Sequence, residues 1–367
     1  MQKYDYLIVG CGLTSAVIAN ELKQKGKKVL IIDKRNHIGG NVYTEIVNNI
    51  HIHKYGPHIF HTNKKEIWNY ITQFDEFQHF TLQTLAKAND DKFYNLPFNM
   101  HTFYQVYGTK TEKEIDEILK EFSNIEINNV EDFAISKIGE KMYKLLVKEY
   151  TEKQWNMTCK EINQEIIKRL PIRKEWNNNY FNDEYQGIPK NGYTKVIENM
   201  INGVDIMLNT PFNMEKHYNI ADKIIYCGSI DELLNFKYGM LPYRSLEFKE
   251  YHNTIESQNV PVINYTSKNV PYTRSIDHKM FLNNTKQNEN TIITHEYPKT
   301  FDGNNERYYP IEIKENIDLY EKYLNEIKEK LPKIIPCGRL GYYKYLDMDK
   351  VVEKALKLSE ILWKIKA

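Results

Sequence analysis

The chain of 367 residues has only four cysteines, Cys11, Cys159, Cys227 and Cys337, scattered without any CxxC spacing. That argues against a disulfide scaffold and against a zinc knuckle. Surplus charge is missing too, since 50 Lys and Arg against 49 Asp and Glu leave a formal net charge of +1. Without a basic excess there is no electrostatic case for nucleic acid or an anionic membrane surface, although a local basic pocket remains compatible with it. No run approaches the ~20 consecutive apolar residues of a membrane span, and the N-terminus leads into a strand-like run without a signal-peptide pattern. A cytoplasmic protein with no membrane insertion is expected. Repeats and low-complexity tracts are also absent. The 28 tyrosines, with much Asn, Lys and Ile, are what an AT-rich genome produces and decide nothing. At this length two or three domains are expected rather than one core.

What is present is concentrated near the N-terminus. Leu7-Ile8-Val9 runs into Gly10-Cys11-Gly12-Leu13-Thr14-Ser15, a helix-like stretch follows to Lys25, and a second apolar run, Val29-Leu30-Ile31-Ile32, stops at Asp33. Gly10 and Gly12 let the backbone approach a pyrophosphate, and the helix start at Leu13 and Thr14 offers free N–H groups. Asp33, about 20 residues further on, can accept ribose hydroxyls. Ser15 stands where a third glycine is usual, which costs some closeness of helix to strand. The continuation Lys34-Arg35-Asn36-His37-Ile38-Gly39-Gly40-Asn41 resembles that of FAD-dependent oxidases and their relatives, whose paired glycines return the chain under the diphosphate. FAD is therefore expected rather than a nicotinamide cofactor, with Lys34, Arg35, Gly40 and Asn41 among its contacts.

Beyond this unit, 43–53 reads as short strands and 67–71 as a helix. Apolar residues recur at helical spacing over 112–119 and 132–149. After Leu170 come short β-like runs at 204–208, 246–251, 260–265 and 291–294, while 223–228 reads as a returning strand of the nucleotide unit and 349–365 as a closing helix. The fold expected is mixed α/β: a discontinuous FAD-binding Rossmann-like domain with an inserted helical domain and a mostly antiparallel sheet domain. The first part of the FAD domain spans 1–75 and the helical insertion 76–170. The sheet domain takes 171–220 and 240–310, and 221–239 with 311–367 return to the FAD domain.

Several blocks, in this order and spacing, resemble the bacterial UDP-galactopyranose mutase family over essentially the whole chain. They are 10–41, His53-Lys54-Tyr55-Gly56-Pro57-His58-Ile59-Phe60-His61-Thr62, Tyr150-Thr151-Glu152-Lys153-Gln154-Trp155, Tyr185-Gln186-Gly187-Ile188-Pro189, Val270-Pro271-Tyr272-Thr273-Arg274, and Gly338-Arg339 with 342–347. The resemblance implies an isomerase that contracts UDP-galactopyranose to UDP-galactofuranose through a covalent bond between the sugar and N5 of reduced FAD, supplying a lipopolysaccharide or cell-wall glycan. It also implies a homodimer and a reductant such as NAD(P)H.

By the same resemblance Arg169 and Arg274 clamp the diphosphate, with phenol donors from Tyr150, Tyr180, Tyr308 and Tyr345. Trp155 lies by the uridine and sugar, and Thr81, Thr151, Arg244 and Asn264 are further substrate-side candidates. His58, with Ile59 beside it, tunes the flavin or positions substrate. Arg339 reaches FAD, and Asp347 and Met348 open a last helix toward the flavin's pyrimidine end. The charged segment 165–179 around Arg169 is a candidate lid. His51 and His53 alternate in a strand-like run, which places both on one face, read as solvated, and with no cysteine nearby a metal site is not expected. Pro57, Gly341 and Leu346 depart from the family pattern and leave open a preference for UDP-N-acetylgalactosamine. A net oxidase or desaturase on the same fold is the reading from another enzyme class, and a non-catalytic flavoprotein is the third.

Overall fold

The computed structural model describes residues 4–168, 170–286 and 288–364. Its centre is a five-stranded sheet in the order Asp205–Met207, Val29–Ile32, Tyr4–Val9, Ala221–Tyr226, Ile334–Pro336, with every neighbouring pair parallel. We call Tyr4–Val9 β1, the following helix Leu13–Gln24 α1, and Val29–Ile32 β2. The unbroken apolar runs of β1 and β2 reflect covering on both faces, as parallel sheets require. On one face α1 packs with helices Tyr193–Met200 and Met348–Lys364 through Ala16, Val17, Ile197 and Val352. On the other, helix Lys314–Lys330 sets Tyr323 and Ile327 against Leu7, Val9 and Ile224. Each fully buried aliphatic side chain contributes roughly 1.5–3 kcal/mol.

A second sheet has seven strands in the order Tyr309–Pro310, Tyr243–Thr254, Thr291–Thr300, Arg274–Asp277, Val262–Tyr265, Thr84–Lys87, Phe93–Leu96. It is antiparallel except where Val262–Tyr265 meets Thr84–Lys87. Against it stands a helical group, Met100–Tyr107, Glu112–Lys120, Val130–Met142 and Glu149–Trp155, sharing a core of Phe103, Ile115, Ile138 and Met142.

Three details differ from the sequence reading. The run at 204–208, expected in the antiparallel sheet, forms Asp205–Met207 and pairs in parallel with β2, Asp205 opposite Leu30. A three-residue strand carries no mark of its partner's direction. Conversely, the hairpin of Thr84–Lys87 and Phe93–Leu96, inside the span read as mainly helical, extends the large sheet. The helix read over 132–149 breaks at Gly139 (φ 76°) and widens into a π turn over Tyr143–Lys148. There the Tyr107 hydroxyl enters the backbone ladder, donating to the Ile138 carbonyl at 2.9 Å and accepting from the Met142 N–H at 3.1 Å. Such insertion is a recognised cause of helix breaks.

Candidate active site

A cavity of about 970 Å³ opens at the C-terminal end of the parallel sheet and runs across to the seven-stranded one. Ligands bind at such strand ends where the order reverses about the first strand. At the sheet end the wall is backbone. Gly10 (φ 97°) ends β1, and Gly12 precedes α1 with no side-chain cap, so the first N–H groups of the helix are left for a ligand. Gly40 has a φ of 54°, and a Cβ there would stand 2.9 Å from the Gly12 Cα. Only glycine lets these two turns touch. Asp33 joins them, its carboxylate accepting from the N–H of Cys11 at 2.6 Å and of Arg35 at 2.8 Å. Two backbone donors leave it acceptor capacity for a ligand hydroxyl. Arg35 bonds Asn41 at 3.1 Å, pairs with Glu306 at 2.9 Å and lies over the Tyr55 ring.

All four cysteines are free thiols. Yet Cys227 and Cys337, far apart in sequence, meet with sulfurs 3.2 Å apart beside Ser15, whose hydroxyl bonds the Cys227 sulfur. They follow the register pair Tyr226 and Pro336 on adjacent parallel strands, a proximity that spacing along the chain could not reveal.

At the far end the wall is made of side chains. Asn264, Arg274 and Glu296 are register partners on three neighbouring strands, so they stand side by side on one face. The Arg274 Nε donates to the Tyr150 hydroxyl at 3.2 Å, and its guanidinium lies 3.6 Å from the buried Glu296 carboxylate. Burial opposes the charge on Arg274, but Glu296 foremost, then Tyr150 and Tyr309, hold its pKa well above the usual value. The Asn264 side-chain carbonyl oxygen is buried with no hydrogen-bond partner among the described residues. Tyr309 and Tyr345 approach each other at 5.5 Å between ring centroids, and the Arg339 guanidinium lies over Tyr345.

Between the two ends stands His58. Burial, then the positive Arg339 and Arg274, pull its pKa down to about 4, so it is neutral near pH 7. Its backbone N–H donates to the His53 ring at 3.1 Å, the His53 backbone N–H donates to the His278 ring at 3.4 Å, and the other His278 ring nitrogen bonds the Thr294 hydroxyl at 2.8 Å. His51 and His53, read as solvated, are buried, because the turn after Asp277 closes over the hairpin that carries them. His61 is held by Asp183 at 2.8 Å and stacks on Phe181.

Of the residues picked from sequence, Gly10, Gly12, Leu13, Thr14, Asp33, Lys34, Arg35, Gly40, Asn41, His58, Ile59, Arg339, Asp347 and Met348 all line the cavity, as do Tyr180, Asn264, Arg274, Tyr308 and Tyr345. Tyr150 and Trp155 do not line it but reach its walls, Tyr150 through Arg274 and Trp155 with its ring 6.0 Å from Tyr309. Arg169 lies outside the described residues; the adjacent Leu170 and Pro171 line the cavity.

Four of the expected substrate-side residues are placed differently from the others. Arg244 is buried away from the cavity, donating to the Gln154 carbonyl at 2.8 Å and the Thr300 hydroxyl at 2.5 Å. Thr81 contacts His79, and Thr151 is buried; neither lines the cavity. Tyr308 turns toward Arg35 and Phe248, and it is Tyr309 that shares the field of Arg274 and Glu296. Adjacent strand residues face opposite ways, so a shift of one residue exchanges the two ends of the cavity. Sequence reasoning missed Glu296 altogether, since a lone glutamate in a β-like run carries no local signal.

A Rossmann-type sheet whose glycine cradle opens into a second compartment with arginines in its wall is the architecture of a nucleotide-binding α/β enzyme. A family profile described as UDP-galactopyranose mutase matches residues 145–345, and one for NAD(P)-binding Rossmann-like domains matches residues 8–74. The chain is 37% identical to a Klebsiella pneumoniae protein named "Probable UDP-galactopyranose mutase", covering 98% of this chain and 95% of that one. It is 34% identical to dTDP-fucopyranose mutase of Escherichia coli, covering 97% of each, and 34% identical to UDP-galactopyranose mutase of Mycoplasma genitalium, covering 99% and 95%. A crystal structure of reduced UDP-galactopyranose mutase superposes with a TM-score of 0.77 at 12% identity, covering 99% of this chain and 96% of that one. The chain belongs to the UDP-galactopyranose mutase family and is an isomerase.

Proposed function

We propose that this isomerase binds reduced FAD in the glycine cradle and converts UDP-galactopyranose to UDP-galactofuranose. The observation that carries the reading is the continuity of one cavity from a cradle that a Cβ would fill to a buried arginine beside tyrosines. An adenine dinucleotide fits the first end, with its diphosphate on the N–H groups of α1, its ribose at Asp33 and its flavin by His58, Arg339 and Met348. Reduced flavin supplies a nucleophilic nitrogen to the anomeric carbon of the sugar. The protein's own residues bind, orient and exclude water. Arg274, with Arg169 from the segment ahead of Leu170, neutralises the diphosphate as it separates from the sugar. Tyr150 orients the Arg274 guanidinium, while Tyr309 and Tyr345 offer hydroxyl donors and Asn264 an acceptor. In this reading 165–179 closes over UDP, and the enzyme is a cytoplasmic homodimer, reduced by NAD(P)H, that feeds a surface glycan.

The relative named dTDP-fucopyranose mutase favours a second reading, the same ring contraction on a deoxythymidine-linked sugar. Dithionite-reduced protein incubated separately with UDP-galactose, UDP-N-acetylgalactosamine and dTDP-fucose, with the oxidised protein in air run in parallel and products separated by chromatography, tests both. Furanose formed from UDP-galactose is the expected result. Furanose from dTDP-fucose alone would transfer the assignment, and an oxidised sugar accompanied by stoichiometric peroxide would make the protein an oxidase.

A further inference from the structure

Lys153 belongs to helix Glu149–Trp155, between Tyr150 and Trp155, but its side chain does not enter the cavity. Its ammonium instead donates to four backbone carbonyls, those of Tyr265, Ser267 and Tyr272 at 2.9 Å and of Val270 at 2.8 Å. All four lie in or beside the connection between strands Val262–Tyr265 and Arg274–Asp277. An ammonium has three protons and no acceptor, so four converging oxygens mean that the connection is wrapped around one positive charge. Within the segment one of these carbonyls has a further donor, the Ser267 carbonyl accepting from the Val270 N–H at the longer distance of 3.3 Å. The Thr266 hydroxyl donates to the Leu145 carbonyl at 3.0 Å and the Lys268 N–H to the Glu149 carboxylate at 2.9 Å, which docks the outside of the loop.

The two ends of this connection matter to the site. Asn264 precedes it and Arg274 follows it, paired across the hairpin, and the Tyr265 N–H closes its base on the Thr273 carbonyl at 2.9 Å. The helix that presents Lys153 also presents Tyr150, which accepts from the Arg274 Nε. One cation thus ties the strand ends carrying Asn264 and Arg274 to the helix carrying the phenol.

We propose that Lys153 is a positioning residue for the sugar nucleotide: its ammonium is the ion around which 265–273 folds, and it fixes where Arg274 and Asn264 stand relative to Tyr150. The choice of ligand rests on the diphosphate-clamp reading above. Without the charge, the carbonyls of Tyr265, Val270 and Tyr272 lose the ammonium, that of Ser267 keeps only the long bond from the Val270 N–H, and the inward turn of the loop loses its centre.

The test uses full-length, FAD-loaded protein with Lys153→Ala, and reads UDP affinity by titration, bound flavin by absorbance and amide exchange over 266–273 by mass spectrometry. UDP binding is expected to weaken roughly tenfold, with flavin content unchanged and exchange in the segment accelerated. Propylammonium replaces the atoms removed beyond Cβ, so adding it should restore much of the UDP affinity. Tetramethylammonium, which has the charge but no N–H, should not. Unchanged UDP affinity, or a loss that propylammonium leaves as it was, overturns the proposal. Should Lys153→Ala fail to fold, Lys153→Gln, which keeps two N–H donors, is read by affinity and exchange: intermediate values support the ammonium-centred loop and wild-type values overturn it. Arg274→Ala run alongside separates the two claims. If it leaves UDP affinity intact, the clamp reading falls; if it abolishes UDP binding while Lys153→Ala does nothing, only the role of Lys153 falls.

Discussion

In the function proposed above, the two ends of the cavity each take a diphosphate, and they are built to do so by opposite means. At the sheet end the chain brings its own backbone close, and the contacting groups are N–H donors at a helix start and turns that only glycine can make. At the far end charge is supplied by Arg274, held between Tyr150 and Glu296 on elements distant in sequence. A backbone cradle is rigid, with no side-chain entropy to lose, and suits a cofactor that stays. A guanidinium supported by its neighbours concentrates a charge-assisted interaction on a phosphate that must be held as its bond to the sugar breaks, and suits a substrate that turns over. If this division is real, the ends should fail separately under mutation and together only where they share a support.

The shared support is the histidine column, and acid should break both ends at once. Burial chiefly lowers all three pKa values, His58 to about 4, His278 to about 3 and His53 well below the ordinary 6.5. Because the folded pKa values lie below those of the unfolded chain, the unfolded state binds more protons, and stability falls as pH drops below about 6.5. At pH 5 the penalty is about 2 kcal/mol for each of His58 and His278. Urea unfolding at pH 7 and pH 5 should therefore show a large loss, partly relieved in His278→Asn, with flavin and UDP binding lost together. Equal stability at the two pH values would mean that the column is not held neutral by the fold.

The second test acts on the cofactor end alone. Gly40→Ala places a methyl group 2.9 Å from the Gly12 Cα at a positive φ of 54°, backbone against backbone, where no flexible neighbour can yield. Flavin retained on purification and measured by absorbance should fall by about a hundredfold in affinity, corresponding to roughly 3 kcal/mol of strain. The protein should still fold, and UDP should still bind to the Arg274 end. Full flavin occupancy in the variant would show that the two turns can separate without cost.

The contrast also accounts for what could be read from sequence. The cofactor end is local: strand, glycine turn, helix and the acid at the end of β2 occupy one continuous stretch, and each step has a short-range physical signature. The far end is assembled by long-range pairing. Arg274 faces Glu296 only because two strands happen to be in that register, and no pattern along the chain announces a register. Resemblance to a family pointed to Arg274, Tyr150, Tyr345 and Tyr308, but it could not point to Glu296, and it is Tyr309 that stands beside Arg274 and Glu296. Arg244 stands outside the cavity for a related reason, since an arginine buried on a backbone carbonyl and a hydroxyl and one facing a phosphate look alike in sequence. The parallel pairing of Asp205–Met207 and the contact of Cys227 with Cys337 are likewise products of topology rather than of local pattern.

The smallest effect tests that one-residue difference directly. Tyr308 and Tyr309 are neighbours, yet Tyr308 lies with Arg35 and Tyr55 on the cofactor side while Tyr309 lies with Glu296, Arg274 and Tyr345 on the other. Replacing either by phenylalanine keeps the ring and its packing and removes one hydroxyl, so the expected change is that of one hydrogen bond, about 0.5–1.5 kcal/mol, or about two- to tenfold in affinity. Tyr309→Phe should weaken UDP binding within that range and leave flavin retention alone; Tyr308→Phe should leave UDP binding alone. Titrating UDP into both variants at matched flavin occupancy decides the matter. If Tyr308→Phe is the one that weakens UDP, the phenol belongs where the family resemblance put it, and the boundary between the two ends must be drawn on the other side of that residue.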